Sequence, residues 1–278
     1  MSSRTGVTGS SGVLGRRIVE VLHSRGTAVD SFRGDVRDRP SVDKWVSSGD
    51  FSTVIHCAAL VPVDIVQSDP ARAIAVNVGG TANVAEAARR KGIRVLYVSS
   101  SHVYGAQAAP LKESDACLPT SKYGLTKLQG EDWCRTILED FLIARVFSYF
   151  DPDQPAAFVI SNLRNQIASA PSGGEILLRG SSSVRDFSSG SWVAQAIAHL
   201  AQSEHRGTFN VGSGVASSIG EIAKMLAVKL HRPDIRFTTE ASPLGDYLVA
   251  NTAKLKAAWP SRPPHDLGSE LQALCVKD

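Results

Sequence analysis

The sequence predicts a doubly wound α/β fold, in which helices cover both faces of a parallel sheet. Strand-like and helix-like segments alternate through the first half of the chain, which is typical of strands joined by helical crossovers. A glycine-rich stretch, TGSSGVLG at 8–15, directly follows the first strand and begins the first helix. We therefore expect a ligand at the carboxyl ends of the strands, where such sheets bind their ligands.

Local patterns predict the elements in chain order. Short runs rich in β-branched and aromatic residues indicate strands, whereas apolar residues spaced three or four apart indicate helices. Glycines and prolines separate these segments. We predict strands at 5–7, 27–32, 53–57, 94–98 and 141–147, and helices at 13–23, 41–47, 71–90 and 121–138.

Beyond residue 150 the alternation becomes irregular, because prolines and glycines interrupt the chain repeatedly. We expect residues 1–150 to form the sheet domain, rejoined by a segment near 185–211. Residues 151–278 should then form mainly a smaller C-terminal lobe.

Composition narrows the classes of function. The formal net charge of +3 over 278 residues is too small to favour nucleic acid or an anionic membrane as a partner. No apolar run has the length of a membrane span, and the first residues lack the apolar core of a signal peptide. The four cysteines contain no CxxC pair. We therefore expect no metal site, no disulfide framework and a location in the reducing cytoplasm.

The glycine-rich stretch has the chemistry of a phosphate-binding loop. Two of its glycines permit a tight turn and a close backbone approach, and the third lets the helix pack on the sheet. Free N–H groups at the helix N-terminus favour an anion such as pyrophosphate. Glycines at a strand-to-helix turn also occur for structural reasons alone. The predicted contact residues are Gly9, Ser11, Gly12, Val13, Leu14 and Gly15.

Two further motifs carry acid–base chemistry. Tyr123 and Lys127 are four residues apart and so share one face of a helix. A neighbouring cation lowers the pKa of a phenol, which makes proton transfer feasible near neutral pH. The stretch VSSSHVYG at 98–105 places three hydroxyls and a histidine at the end of a buried strand.

In this order the three motifs resemble those of the extended short-chain dehydrogenases/reductases, specifically the NAD-dependent epimerase/dehydratase family. Within it, the nucleotide-sugar reductases of the dTDP-4-dehydrorhamnose reductase type are the most similar. Further matches cover nearly the whole chain: HCAA at 56–59, NVGGT at 77–81, Arg145, RDF at 185–187 and NVGSG at 210–214. The resemblance implies a Rossmann fold with a substrate-binding C-terminal lobe, a nucleotide-sugar substrate and a homodimer.

The resemblance also implies roles for particular residues. Ser100 would bind the substrate oxygen, Tyr123 would transfer its proton, and Lys127 would hold the nicotinamide ribose. Arg185 would contact a diphosphate, with an ion pair to Asp186 as the alternative. The remaining cofactor-binding residues would be Asp35, Val36, Ala58, Ala59 and Asn77, although plain packing explains the two alanines equally well.

Two departures from the family pattern guide the choice of function. Arg33 stands at the end of the second strand, where NAD-using members carry an acidic residue, so NADP is favoured and NAD is the alternative. His102 stands where the dehydratases of the family have a glutamate. We expect His102 to bind substrate, and a role as a base stays open.

The function that we expect is NADP-dependent reduction of a keto group on a 4-keto-6-deoxy nucleotide sugar. The alternatives are an NAD-dependent nucleotide-sugar epimerase, a non-catalytic dinucleotide sensor on the same fold, and a reductase of a carbonyl compound without a nucleotide.

Overall fold

The computed structural model describes residues 4–61, 63–105, 107–239 and 246–275. Its strands are β1 (Arg4–Thr8), β2 (Val29–Phe32), β3 (Phe51–His56), β4 (Arg94–Ser100), β5 (Phe141–Val146), β6 (Ser148–Phe150), β7 (Glu175–Leu178), β8 (Val184–Ser189), β9 (Gly207–Val211), β10 (Ala216–Ser218), β11 (Arg236–Thr239) and β12 (Tyr247–Leu248). Its α-helices are α1 (Val13–Ser24), α2 (Arg39–Ser48), α3 (Val63–Ser68), α4 (Pro70–Ile74), α5 (Gly80–Lys91), α6 (Lys122–Ile137), α7 (Val159–Ser169), α8 (Gly190–Gln202), α9 (Ile219–Lys229), α10 (Ala253–Ala258) and α11 (Leu267–Cys275).

Six parallel strands form the main sheet in the order β2-β1-β3-β4-β5-β9, which confirms the predicted fold class. The strand order reverses beside β1, because the chain runs outward to β2 and then crosses to β3 on the other side. A reversal of this kind opens a crevice at the carboxyl ends of β1 and β3. The fold therefore determines where a ligand binds.

The side chains of β4 alternate between the two helical layers. Leu96 and Val98 belong to the core that contains α1 and α8, whereas Val95 and Tyr97 belong to the core that contains α5 and α6. Burial on both faces explains why this strand is an almost continuous apolar run in the sequence.

The smaller lobe has its own core and a second sheet. In this sheet β8 pairs with β6, β10 and β12, and β7 pairs with β11 separately. Because β6 follows β5 almost directly, the lobe begins at the ligand-binding edge of the main sheet. The largest buried core residues of the lobe include Phe150, Ile160, Ile167, Phe187, Ile222, Leu226 and Leu271.

None of the helices in the described part of the chain is both long and apolar enough to cross a membrane.

The predicted helix at 71–90 contains one irregularity. A π-helical turn, Ala75–Gly79, separates α4 from α5. Turns of this type are frequent at functional sites, and this one carries Asn77.

Candidate active site

A cleft of about 1200 Å³ lies along the carboxyl ends of the strands, and residues of both the main sheet and the lobe line it. Pockets for single small ligands typically measure roughly 300–1,000 Å³, so this cleft has room for a dinucleotide and a second ligand. Sixteen predicted site residues line it: Gly9, Ser11, Gly12, Val13, Leu14, Gly15, Arg33, Asp35, Val36, Ala58, Ala59, Ser100, His102, Tyr123, Lys127 and Arg185.

The glycine loop is shaped by contacts that a side chain would block. Gly9 has a φ of +71°, and a Cβ on it would lie 2.5 Å from the backbone nitrogen of Ala58. A Cβ on Gly15 would lie 2.1 Å from the carbonyl oxygen of Gly9. Gly12 caps α1 without a side chain, and the first helical turn contains no acidic residue. The loop therefore leaves the positive end of α1 available to an anion.

Asn77 lies behind the wall of the cleft. Its Nδ2 donates to the carbonyl of Leu60 and to Thr126 Oγ1, both at 3.0 Å, and its Oδ1 accepts from Leu60 N at 2.7 Å. Both amide donors are thus used, and the residue is 1% exposed. The structure places Asn77 as a brace between the loop after β3 and α6, outside the cleft lining, and its contact with a cofactor stays a prediction.

His56 is a second brace at the same crevice. Its two ring nitrogens lie 2.7 Å from Thr8 Oγ1 and 3.0 Å from Thr81 Oγ1, so it joins β1, β3 and α5. Burial lowers the pKa of His56 to about 3, and the charge of Lys127 acts in the same direction. This histidine is therefore neutral at physiological pH and structural in role.

Ser100 and Tyr123 form the centre of the candidate catalytic group. Ser100 ends β4, and its hydroxyl accepts the backbone N–H of His102 at 3.2 Å. The Ser100 side chain favours the ionised form of the Tyr123 phenol, and the His102 ring meets the Tyr123 ring edge-on, with centroids 5.7 Å apart. A Cβ on Gly124 would lie 2.0 Å from the His102 carbonyl. The glycine after Tyr123 therefore allows α6 to approach the turn that carries His102.

Burial dominates the protonation of this group. It raises the pKa of Tyr123 to about 12, although the Ser100 side chain opposes the shift. The lowered phenol pKa that the YxxxK spacing predicts is therefore not found. Lys127 Nζ instead donates to the carbonyl of Val98 at 2.7 Å, and burial lowers the pKa of Lys127 to about 8. Because Tyr123 is protonated at neutral pH, it can donate a proton.

The end of β2 presents a cation to the cleft. Arg33 follows β2 directly and is exposed. The carboxylate of Asp30 accepts from Trp45 Nε1 at 3.0 Å and so faces α2. The carboxylate of Asp35 accepts from Arg37, whose guanidinium holds the pKa of Asp35 below its usual value. Both nearby carboxylates therefore have partners within the chain.

The opposite wall of the cleft carries Arg185. Its Nη2 forms an ion pair with Asp246 Oδ2 at 2.7 Å. Asp186, the expected alternative partner, is buried, and its carboxylate accepts backbone N–H groups of Ser213 and Gly214 at 2.8 Å. Arg185 therefore pairs with Asp246, and the alternative ion pair with Asp186 is not formed. Burial, followed by the charge of Arg185, lowers the pKa of His102.

Several residues that line the cleft were not predicted from the sequence, and three of them come from one segment of the chain. Tyr149, Gln154 and Phe158 follow β5 and line the cleft. Gln154 is 5% exposed, its Nε2 donates to the Tyr149 carbonyl at 3.2 Å, and its Oε1 has no hydrogen-bond partner among the described residues. The segment at 151–158 resembles an ordinary proline-containing loop, so only its position shortly after Arg145, one of the matches to the family, could have indicated it.

Known proteins share this architecture. The model of the NAD dependent epimerase/dehydratase family matches residues 6–212. GDP-6-deoxy-D-mannose reductase of Pseudomonas aeruginosa is 34% identical over 245 residues, which cover 82% of this chain and 80% of that protein. The solved structure of RMD from Pseudomonas aeruginosa, complexed with NADPH, has a TM-score of 0.86 at 26% identity, covering 98% of this chain and 97% of the other.

A third relative matches more closely but over a shorter stretch. A dTDP-4-dehydrorhamnose reductase of Streptomyces griseus is 39% identical over 137 residues, or 48% of this chain. This alignment spans only 44% of that reductase. Because the family match extends from the first strand to the sixth strand of the main sheet, the chain belongs to the NAD dependent epimerase/dehydratase family.

Proposed function

We propose that this protein is an NADP-dependent reductase of a keto group on a nucleotide-activated 4-keto-6-deoxy sugar. The observation that carries the proposal is that Ser100 and protonated Tyr123 line one cleft together with the glycine loop and Arg185. Arg33 at the end of β2 suits the 2′-phosphate of NADP. Relatives named as keto-sugar reductases, and a neighbour complexed with NADPH, support the same reading.

The chain's own residues account for the remaining steps. The glycine loop and the N-terminus of α1 would bind the pyrophosphate of the dinucleotide, which supplies a hydride when bound. The Ser100 hydroxyl would donate to the carbonyl oxygen of the substrate, where negative charge develops. Tyr123 would then transfer its proton to that oxygen. The ammonium group of Lys127 would offset the charge that the phenol gains.

The direct test is consumption of NADPH with 4-keto-6-deoxy sugars carried on dTDP and on GDP. We expect one NADPH to be oxidised for each sugar reduced. An epimerase would convert a nucleotide sugar without net consumption of NADPH, and a sensor would bind NADPH without turnover. Equal activity on the same keto sugar without its nucleotide would contradict the proposed role of Arg185.

The rate should depend on pH through Lys127. Its pKa of about 8 lies below the ordinary lysine value because of burial, so the free enzyme loses this ammonium as the pH rises above about 8. We expect kcat/KM for keto-sugar reduction to fall on this alkaline side, because kcat/KM reports groups of the free enzyme. A profile measured from pH 6 to pH 10 that stays flat through this region would contradict the role of Lys127.

Replacement of His102 by asparagine distinguishes substrate binding from base catalysis. We expect His102→Asn to raise the KM for the keto sugar roughly 3- to 10-fold, because about one hydrogen bond to the substrate is lost. Most of kcat should be preserved. The control is the KM for NADPH, which should not change. If the wild type exchanged the proton beside the carbonyl with deuterated water and the variant did not, the alternative epimerase function would be favoured.

A further inference from the structure

Glu131 of α6 and Arg145 of β5 form a buried ion pair beside the catalytic group. The Glu131 side chain is 0% exposed and the Arg145 side chain 3%. Glu131 Oε2 accepts from Arg145 Nη2 at 2.8 Å, and Glu131 Oε1 accepts from Arg145 Nε at 3.0 Å. A two-point contact of this kind fixes orientation as well as distance. Neither residue lines the cleft.

Glu131 lies on the same helix as the catalytic residues Tyr123 and Lys127. Glu131 follows Lys127 by four positions and Tyr123 by eight, so all three share the buried face of α6. Arg135, one turn further along, also donates to Glu131 Oε2 at 2.6 Å. The negative charge of Glu131 raises the pKa of Lys127, against the larger effect of burial.

On the strand side, the pair holds both ends of the segment 100–103. The Ser99 hydroxyl donates to Glu131 Oε1 at 2.5 Å, and Arg145 Nη1 donates to the Tyr104 hydroxyl at 2.7 Å. The Ser99 hydroxyl is directed to α6 because side chains alternate along β4. The segment between these contacts carries the serine and the histidine of the site.

We propose that the Glu131–Arg145 pair positions the catalytic side chains, because it sets the distance between Ser100 and Tyr123. This inference rests on the proposed function. Stability alone explains the pair poorly, because apolar residues that replace a buried ion pair often leave stability unchanged or raise it. Positioning explains it better, because one carboxylate joins the helix, the strand end and the turn that carry the acting groups.

The test is a double variant, Glu131→Leu with Arg145→Met, which removes both charges and keeps apolar volume. We expect kcat for NADPH-dependent reduction to fall roughly 10- to 100-fold, as a displacement of about 1 Å can cost about 10²-fold. The Kd of NADPH and the thermal unfolding midpoint should stay near the wild-type values. The alkaline limit of kcat/KM should move to lower pH, because the carboxylate that supports the Lys127 ammonium is gone.

The matched control is the ion pair of Arg94 and Asp140, whose atoms Nε and Oδ1 are 2.9 Å apart. This pair lies at the amino ends of β4 and β5, whereas the cleft lies at their carboxyl ends. Asp140→Asn should change stability without changing kcat. A folded double variant with wild-type kcat and an unshifted pH profile would overturn the inference. If the double variant does not fold, Ser99→Ala is the second test. We expect its kcat to fall roughly 3- to 10-fold, which corresponds to the loss of about one hydrogen bond. An unchanged kcat in this variant would overturn the inference.

Failure of the proposed function would appear in the wild type itself, which would consume no NADPH with any nucleotide sugar. Positioning can then be read without turnover, from the resonance of isotope-labelled Tyr123, assigned by its loss in Tyr123→Phe. We expect this resonance to shift in the double variant, because the Ser100 side chain, which acts on the phenol, changes its position. An unshifted resonance would overturn the inference.

Discussion

Tyr123→Phe is expected to lower kcat by roughly 10²- to 10⁴-fold, the usual contribution of one acid–base group. The phenol shares the cleft with Ser100, and burial raises its pKa to about 12, so it is protonated at neutral pH. Phenylalanine keeps the ring that packs beside Val66 and Ala73 and removes only the oxygen. NADPH binding and the unfolding midpoint should therefore change little.

The measurement is kcat for NADPH oxidation, together with the Kd of NADPH. Tyr247→Phe is the matched control, because it removes a tyrosine hydroxyl outside the cleft lining and should leave kcat unchanged. Near-normal turnover by Tyr123→Phe would show that another group supplies the proton. His102 would then be the first residue to examine, because its ring lies next to Tyr123.

Arg33→Asp should reverse the preference between NADPH and NADH, changing the ratio of their dissociation constants on the order of 10²-fold. A hydrogen bond to a charged group contributes about 1.5–3 kcal/mol, and each 1.4 kcal/mol is about a factor of ten. The variant removes the guanidinium that suits a 2′-phosphate and adds the carboxylate that suits a 2′-hydroxyl.

Titrating wild type and variant with both dinucleotides measures this change. Arg39→Asp is the matched control, since it alters the net charge equally on an exposed arginine outside the cleft lining. The control should weaken both dinucleotides only slightly through long-range electrostatics, and NADPH slightly more because of its extra phosphate charge, without reversing the preference. Equal affinity of the wild type for NADH and NADPH would contradict the interpretation of Arg33.

The sequence alone determined the features of this protein that depend on short spacings. The order of strands and helices, the glycine loop at 8–15 and the shared helical face of Tyr123 and Lys127 all follow from neighbours within a few positions. The position of Arg33 at the end of the second strand is also a local feature, because it follows from where that strand ends. Local steric and periodic rules specify such features without knowledge of what packs against them.

The tertiary structure alone decided the features that depend on distant partners. Arg185 pairs with Asp246 and not with its neighbour Asp186, and Glu131 of α6 meets Ser99 of β4 and Arg145 of β5. Burial reversed the expected direction of the Tyr123 pKa. Hydrogen-bond partners and desolvation depend on which segments the fold brings together, and residues far apart in the chain supply them.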